Sequence, residues 1–115
     1  MKIFSAMIFA CLALSARAEG LSTFEGAGLL DAYIKVCAEV APDKAEFYKQ
    51  RILSGMSCGK PVAEMEKELA DIRDSKNPQI RSAYQAAYQK AREPMNRATP
   101  KQKLEFCASF ADVKC

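Results

Sequence analysis

Thr99 to Cys115, TPKQKLEFCASFADVKC, opens on the pattern of a helix start and ends on a cysteine. Thr99 is a good cap and Pro100 suits the first helical position. Gln102 stands three residues after the threonine, the spacing of a capping box. Beyond the cap, Leu104, Cys107 and Ala111 recur at helical spacing, with Phe106 and Phe110 on a second face beside them. A helix that carries one cysteine and is followed by another at the chain end is a helix meant to be tied down. What it is tied to must lie upstream, where three further cysteines stand at positions 11, 37 and 58.

The chain start removes one of those three. Lys2 is followed by an apolar run from Ile3 to Leu14, and Ala16-Arg17-Ala18 sets small residues where a signal peptidase reads. The run is shorter than the about 20 residues a membrane span requires. Residues 1–18 are therefore predicted to be a cleaved signal peptide and residues 19–115 one helical domain, exported to the periplasm or secreted, with no stable membrane insertion after cleavage. Cleavage takes Cys11, and leaves Cys37, Cys58, Cys107 and Cys115 for two disulfides in an oxidising compartment. It also takes Lys2 and Arg17, so that seventeen basic residues become fifteen against fourteen acidic ones, a net charge of +1. That balance gives no support to nucleic acid as a partner.

Apolar spacing reads as helix throughout. Ser22 with Glu25 forms one capping box, and Ala27, Leu30, Ile34, Cys37 and Ala41 follow as a stripe with Tyr33 at its side. Gly26 and Gly28 mean either that a neighbouring helix approaches closely or that the helix starts later. Pro42 opens a second helix with Ala45, Tyr48, Ile52 and Met56 inward, and Phe47 and Leu53 beside them. It ends in the turn Ser54 to Pro61, SGMSCGKP. Pro61 opens a third, with a narrow seam of Val62, Met65, Leu69 and Ile72 and an opposite, solvated face that includes Glu64, Glu68, Asp71 and Arg73. Asn77-Pro78 starts a fourth, whose face reads Ile80, Ala83, Tyr84, Ala87, Tyr88 and Ala91 up to about Glu93, where Pro94 ends or kinks it. No strand-like alternation interrupts the series. The fold class is all-α: a small bundle of four to five helices stapled by two disulfides.

Four cysteines allow three pairings. Cys37 with Cys58 is awkward, because in a tight hairpin about Pro42 the two lie roughly 15–20 Å apart along the helices, against about 6 Å between the Cα atoms of a disulfide. Two pairings remain. Helices that alternate up and down give Cys37–Cys115 with Cys58–Cys107, the preferred pairing. A last helix that crosses at an angle after Pro94 to Ala98 gives Cys37–Cys107 with Cys58–Cys115.

The absence of histidine removes the usual nucleophilic triads, the CxxCH haem attachment and the commonest zinc ligand. No C-x-x-C spacing and no glycine-rich phosphate loop is present, so no catalytic residue, cofactor or metal is expected. Charge is segregated along the chain. Val62 to Asp74 holds five acidic and two basic residues, whereas Lys76 to Lys103 holds seven basic and one acidic. The two segments either pair with each other or leave a basic side for an acidic partner. The residues of that side are Arg81, Arg92, Lys101 and Lys103, with the tyrosines of YQAAYQ, Tyr84 and Tyr88, as its aromatic contacts. Met56, Met65 and Met95 either fill the core or line an adaptable apolar pocket.

The architecture resembles that of small helical, disulfide-linked periplasmic proteins of bacteria, including immunity proteins that block a secreted toxin. The resemblance is one of shape and covers no particular residue. The function expected is that of an exported non-enzymatic protein-binding domain, an inhibitor or immunity-type factor that acts by steric occlusion on another exported protein with an acidic surface. The alternative is a helical carrier of a small apolar ligand.

Overall fold

The computed structural model describes residues 23–110. The expected signal peptide, Ser22, Ala111 and Cys115 lie outside them. Five α-helices follow one another: α1 (Thr23–Val40), α2 (Ala45–Met56), α3 (Val62–Arg73), α4 (Pro78–Arg97) and α5 (Pro100–Ser109), with a 3-10 turn at Pro42–Lys44 before α2. The described residues contain no strand. The all-α reading holds.

The hub is α1, which touches each of the other four helices. Its expected stripe is therefore too narrow. Gly28, Asp31, Ala32 and Val36 are buried along with Ala27, Leu30 and Cys37, because neighbours stand on more than one side. The two early glycines separate in role. A Cβ on Gly28 would run into the Tyr84 carbonyl oxygen and stand 3.0 Å from the Tyr88 nitrogen, so α4 lies backbone-close at this point. Gly26 has open space around it. Of the two meanings left open for the pair, close approach is right for Gly28.

Tyr48, Ile52 and Leu53 bury α2, while Phe47 stands exposed with the Arg51 guanidinium over its ring. The turn after α2 passes through Cys58 and Gly59, both at positive φ. Pro61 sits just ahead of α3 as its cap residue, in extended conformation, rather than at the first helical position. The seam of α3 forms as its spacing requires, with Leu69 buried and Val62, Met65 and Ile72 packed at the core's margin. Asn77 caps α4 by accepting from the Gln79 and Ile80 N–H groups at 2.9 and 3.3 Å. Pro94 does not end α4, which continues to Arg97. The break comes at Ala98, which is extended, and Thr99 and Gln102 then close the capping box of α5 at 3.1 and 2.9 Å.

The preferred disulfide pairing is corrected here. Cys37 is bonded to Cys107, with Cα atoms 5.9 Å apart, and both residues are buried. Cys58 is disulfide-bonded as well, and not to Cys107. The reason is the course of the last helix. Rather than taking the next place in an up-and-down series, α5 lies against the C-terminal half of α1. There Tyr33 meets Phe106 and Phe110, with ring centroids 4.9 and 5.7 Å apart, and the two phenylalanines meet each other at 5.0 Å. That contact also sets the rotation of α5: Phe106, Cys107 and Phe110 turn inward and Leu104 turns out to solvent.

Among the described residues no helix is long and apolar enough to cross a membrane, and no group of three or more His, Cys, Asp or Glu side chains could hold a metal ion.

Candidate functional site

The repeat Tyr84-Gln85, Tyr88-Gln89 places its residues four apart, one above the other on the same side of α4. On α1, Asp31, Ile34, Lys35 and Ala38 share a side by the same spacing. Because Gly28 draws the two helices together, these two rows border one open cleft of about 610 Å³, with Arg73 from the end of α3 closing one margin.

Asp31 organises it. The residue is 8% exposed, in the middle of the most buried helix. A carboxylate in that place requires donors around it. Arg73 donates through Nε to Oδ2 and through Nη2 to Oδ1, each at 2.9 Å, a bidentate fork. The Tyr84 hydroxyl donates a third hydrogen bond to Oδ2. Hydrogen bonding to Asp31 pushes the Arg73 guanidinium still further above its ordinary value, so it stays charged. The Tyr84 phenol is pushed up to about 12, first by burial and then by Asp31, so it remains protonated and donating through the neutral range.

The network continues along α4. Tyr88 stacks on Tyr84 with centroids 6.2 Å apart, and the Arg92 guanidinium carbon stands 6.0 Å from the centre of the Tyr88 ring. Arg92 Nη1 lies 2.9 Å from Glu39 Oε1 on α1, an ion pair whose contact is off the line of an aligned hydrogen bond. From Arg73 to Glu39 the seam between α1 and α4 is thus a continuous run of paired charges and stacked rings.

Of the six residues expected to form a partner surface, Tyr84 and Tyr88 line this cleft and Arg92 extends it along α4. Arg81 lies one turn before Tyr84, exposed, with Nη1 3.4 Å from the Ser75 carbonyl oxygen. Lys101 and Lys103 belong to α5 and line no part of the cleft. The expected basic side is therefore divided. Nor do the acidic and basic segments pair with each other among the described residues. Glu66 takes Lys49 at 3.3 Å and Gln50 at 3.1 Å, and Glu68 takes Lys60 at 2.9 Å. Arg92 turns to Glu39, and Arg97 pairs along its own helix with Glu93.

Sequence reasoning missed Asp31, Lys35 and Arg73. For Asp31 a signal was there: a lone carboxylate between Ala27 and Ile34, inside an apolar stripe, needs a partner wherever that stripe is buried. Arg73 was placed on a solvated face, and the structure turns it back onto α1. No such signal marks Lys35, which is exposed and becomes notable only through its neighbours.

A second cleft of about 370 Å³ lies between α1, α3 and the end of α2. Met56 and Met65 line it with Leu29, Leu30, Leu69 and Ile72. It joins two of the three methionines expected to border an apolar pocket; Met95 is elsewhere. Comparison with protein-family models, with curated proteins and with solved structures finds no match to the chain.

Proposed function

We propose that this protein is a small exported protein-binding domain without catalytic activity, an inhibitor or immunity-type factor that acts by covering a partner's surface. The observation that carries this reading is the fixed tyrosine cleft. Tyrosine supplies much of the energy at protein interfaces because a large, stiff side chain loses little entropy on binding. Here Tyr84 is held by Asp31, Tyr88 by stacking on Tyr84, and both by a helix pinned at Gly28. Such a surface is organised before a partner arrives.

The test is capture from the exported fraction of the producing cells at low salt, with the oxidised protein immobilised. The expected result is a discrete partner that Tyr88→Ala fails to retain. Recovery of no partner by the native protein ends this reading.

The carrier reading keeps one specific support, the methionine-lined cleft beside Leu69 and Ile72. It requires an apolar ligand that co-purifies with the folded protein and is visible by native mass spectrometry.

A further inference from the structure

We propose that the cleft between α1 and α4 is a receptor for a carboxylate side chain, presented on an extended acidic segment of the partner. This rests on the protein-binding reading and names the chemistry that the partner brings.

Charge decides the class of ligand. The cleft is bordered by two cations, Lys35 and Arg73, and by one carboxylate, Asp31. That carboxylate already accepts two N–H groups and one O–H group, so it has little left for an incoming donor. Arg73 balances it. Lys35 has no ion-pair partner among the described residues and stands exposed at the cleft wall. The uncompensated charge of the cleft is therefore a single ammonium group, which an anionic side chain would complement.

The remaining wall favours a peptide as the bearer of that anion. Gln85 and Gln89 each present an amide with a donor and an acceptor, four residues apart on α4. Four residues of helix rise about 6 Å, close to the about 6.6–6.8 Å between residues i and i+2 of an extended chain. The two amides can thus meet successive like-facing peptide groups, while the rings of Tyr84 and Tyr88 border the same wall beside the flanking side chains. A polyanion such as a nucleic acid strand finds less here, with one free cation among the described residues that line the cleft and a formal charge of only +1 once the expected cleavage has removed residues 1–18.

The experiment is a titration of the oxidised protein followed by amide NMR shifts, with two blocked tripeptides, acetyl-Phe-Glu-Phe-amide and acetyl-Phe-Gln-Phe-amide. Saturable shifts of the Gln85 and Gln89 side-chain amides are expected with the glutamate peptide. The glutamine peptide should bind about tenfold more weakly, the scale of one charge-assisted hydrogen bond. Lys35→Gln should lower the glutamate peptide to the level of its twin and leave the melting temperature unchanged, because Lys35 is exposed. Equal affinity for the two peptides overturns the proposal, as does indifference to Lys35→Gln, or an oligothymidylate that occupies the cleft at lower concentration than the glutamate peptide. The two readings fail separately. Binding of the glutamate peptide at this cleft with no exported partner captured removes the partner reading and keeps carboxylate recognition. Capture of a partner that Tyr88→Ala loses but Lys35→Gln retains does the reverse.

Discussion

Asp31 is the residue on which three helices agree. It belongs to α1, its charge is matched from α3 by Arg73, and its remaining lone pairs take the Tyr84 hydroxyl from α4. Replacing both charges of such a pair with apolar groups of similar volume is often harmless, whereas removal of one partner leaves the other charge stranded. Arg73→Met strands Asp31, which is 8% exposed, with only a tyrosine to support it. The expected loss is about 3 kcal/mol, the low end of the range for a broken buried pair, since Arg73 itself is half-exposed. The double variant Asp31→Leu with Arg73→Met should recover most of that loss. Urea denaturation of the single variant, the double variant and an Arg81→Met control reads the difference directly. A single variant no weaker than the control would show that the fork leaves the end of α3 as stable as it found it. The sequence offered Asp31 as an anomaly, a charge inside an apolar stripe. It could not offer the partner, because Arg73 lies 42 residues away on a face whose own spacing reads as solvated.

At the scale of the helices, most of the architecture was legible, because starts and seams are local chemistry. Asn77 and the Thr99–Gln102 pair cap in the structure through the hydrogen bonds that their spacing implies. The seam of α3 follows from its three-and-four alternation. Of the two effects left open for Pro94, an ended helix is the one the structure removes, because a proline's effect depends on where its missing hydrogen bond falls. It withholds an N–H from the carbonyl of Lys90, and Lys90 is exposed, so α4 can continue to Arg97. The glycines show the limit more sharply, since Gly26 and Gly28 are two residues apart on one helix and indistinguishable by pattern. Gly28→Ala would drive a methyl group into the α4 backbone, which cannot rotate away. It should destabilise by about 1–3 kcal/mol, as overpacking does, in spite of alanine's better helix propensity. Gly26→Ala meets nothing within 4 Å and should stabilise by about 0.5–1 kcal/mol. Thermal melts of the two variants should therefore move in opposite directions. Parallel shifts would mean that α1 and α4 are not in backbone contact.

For the whole molecule, what could not be read locally was the place of α5. The turn between α4 and α5 is set at Ala98, and nothing in that residue says whether the next helix runs beside its predecessor or across α1. The cleft was hidden for the same reason: its wall combines residues of α1, α3 and α4 that only the packing of α1 as a hub brings together. The Cys37–Cys107 bond is where this choice becomes covalent, and it can be checked without a further structure. Tryptic mapping under non-reducing conditions should join the peptide of residues 36–44 to that of residues 104–114, and a link from Cys58 to Cys107 would contradict the fold. The bond closes a loop with a sequence separation of 70 residues, for which loop-closure entropy predicts about 4 kcal/mol of stabilisation. Cys107→Ala should lose most of it. The loss should also be uneven across the molecule. A ten-residue helix is marginal alone, and without the bond α5 is left with contacts such as those of Phe106 and Phe110 with Tyr33 to hold it on α1. Hydrogen exchange in Cys107→Ala should therefore rise first and most in α5, then around Tyr33, and last at the Gly28 crossing with α4. A native melting temperature with α5 still protected would mean that the aromatic contacts suffice and the disulfide only records the packing they impose.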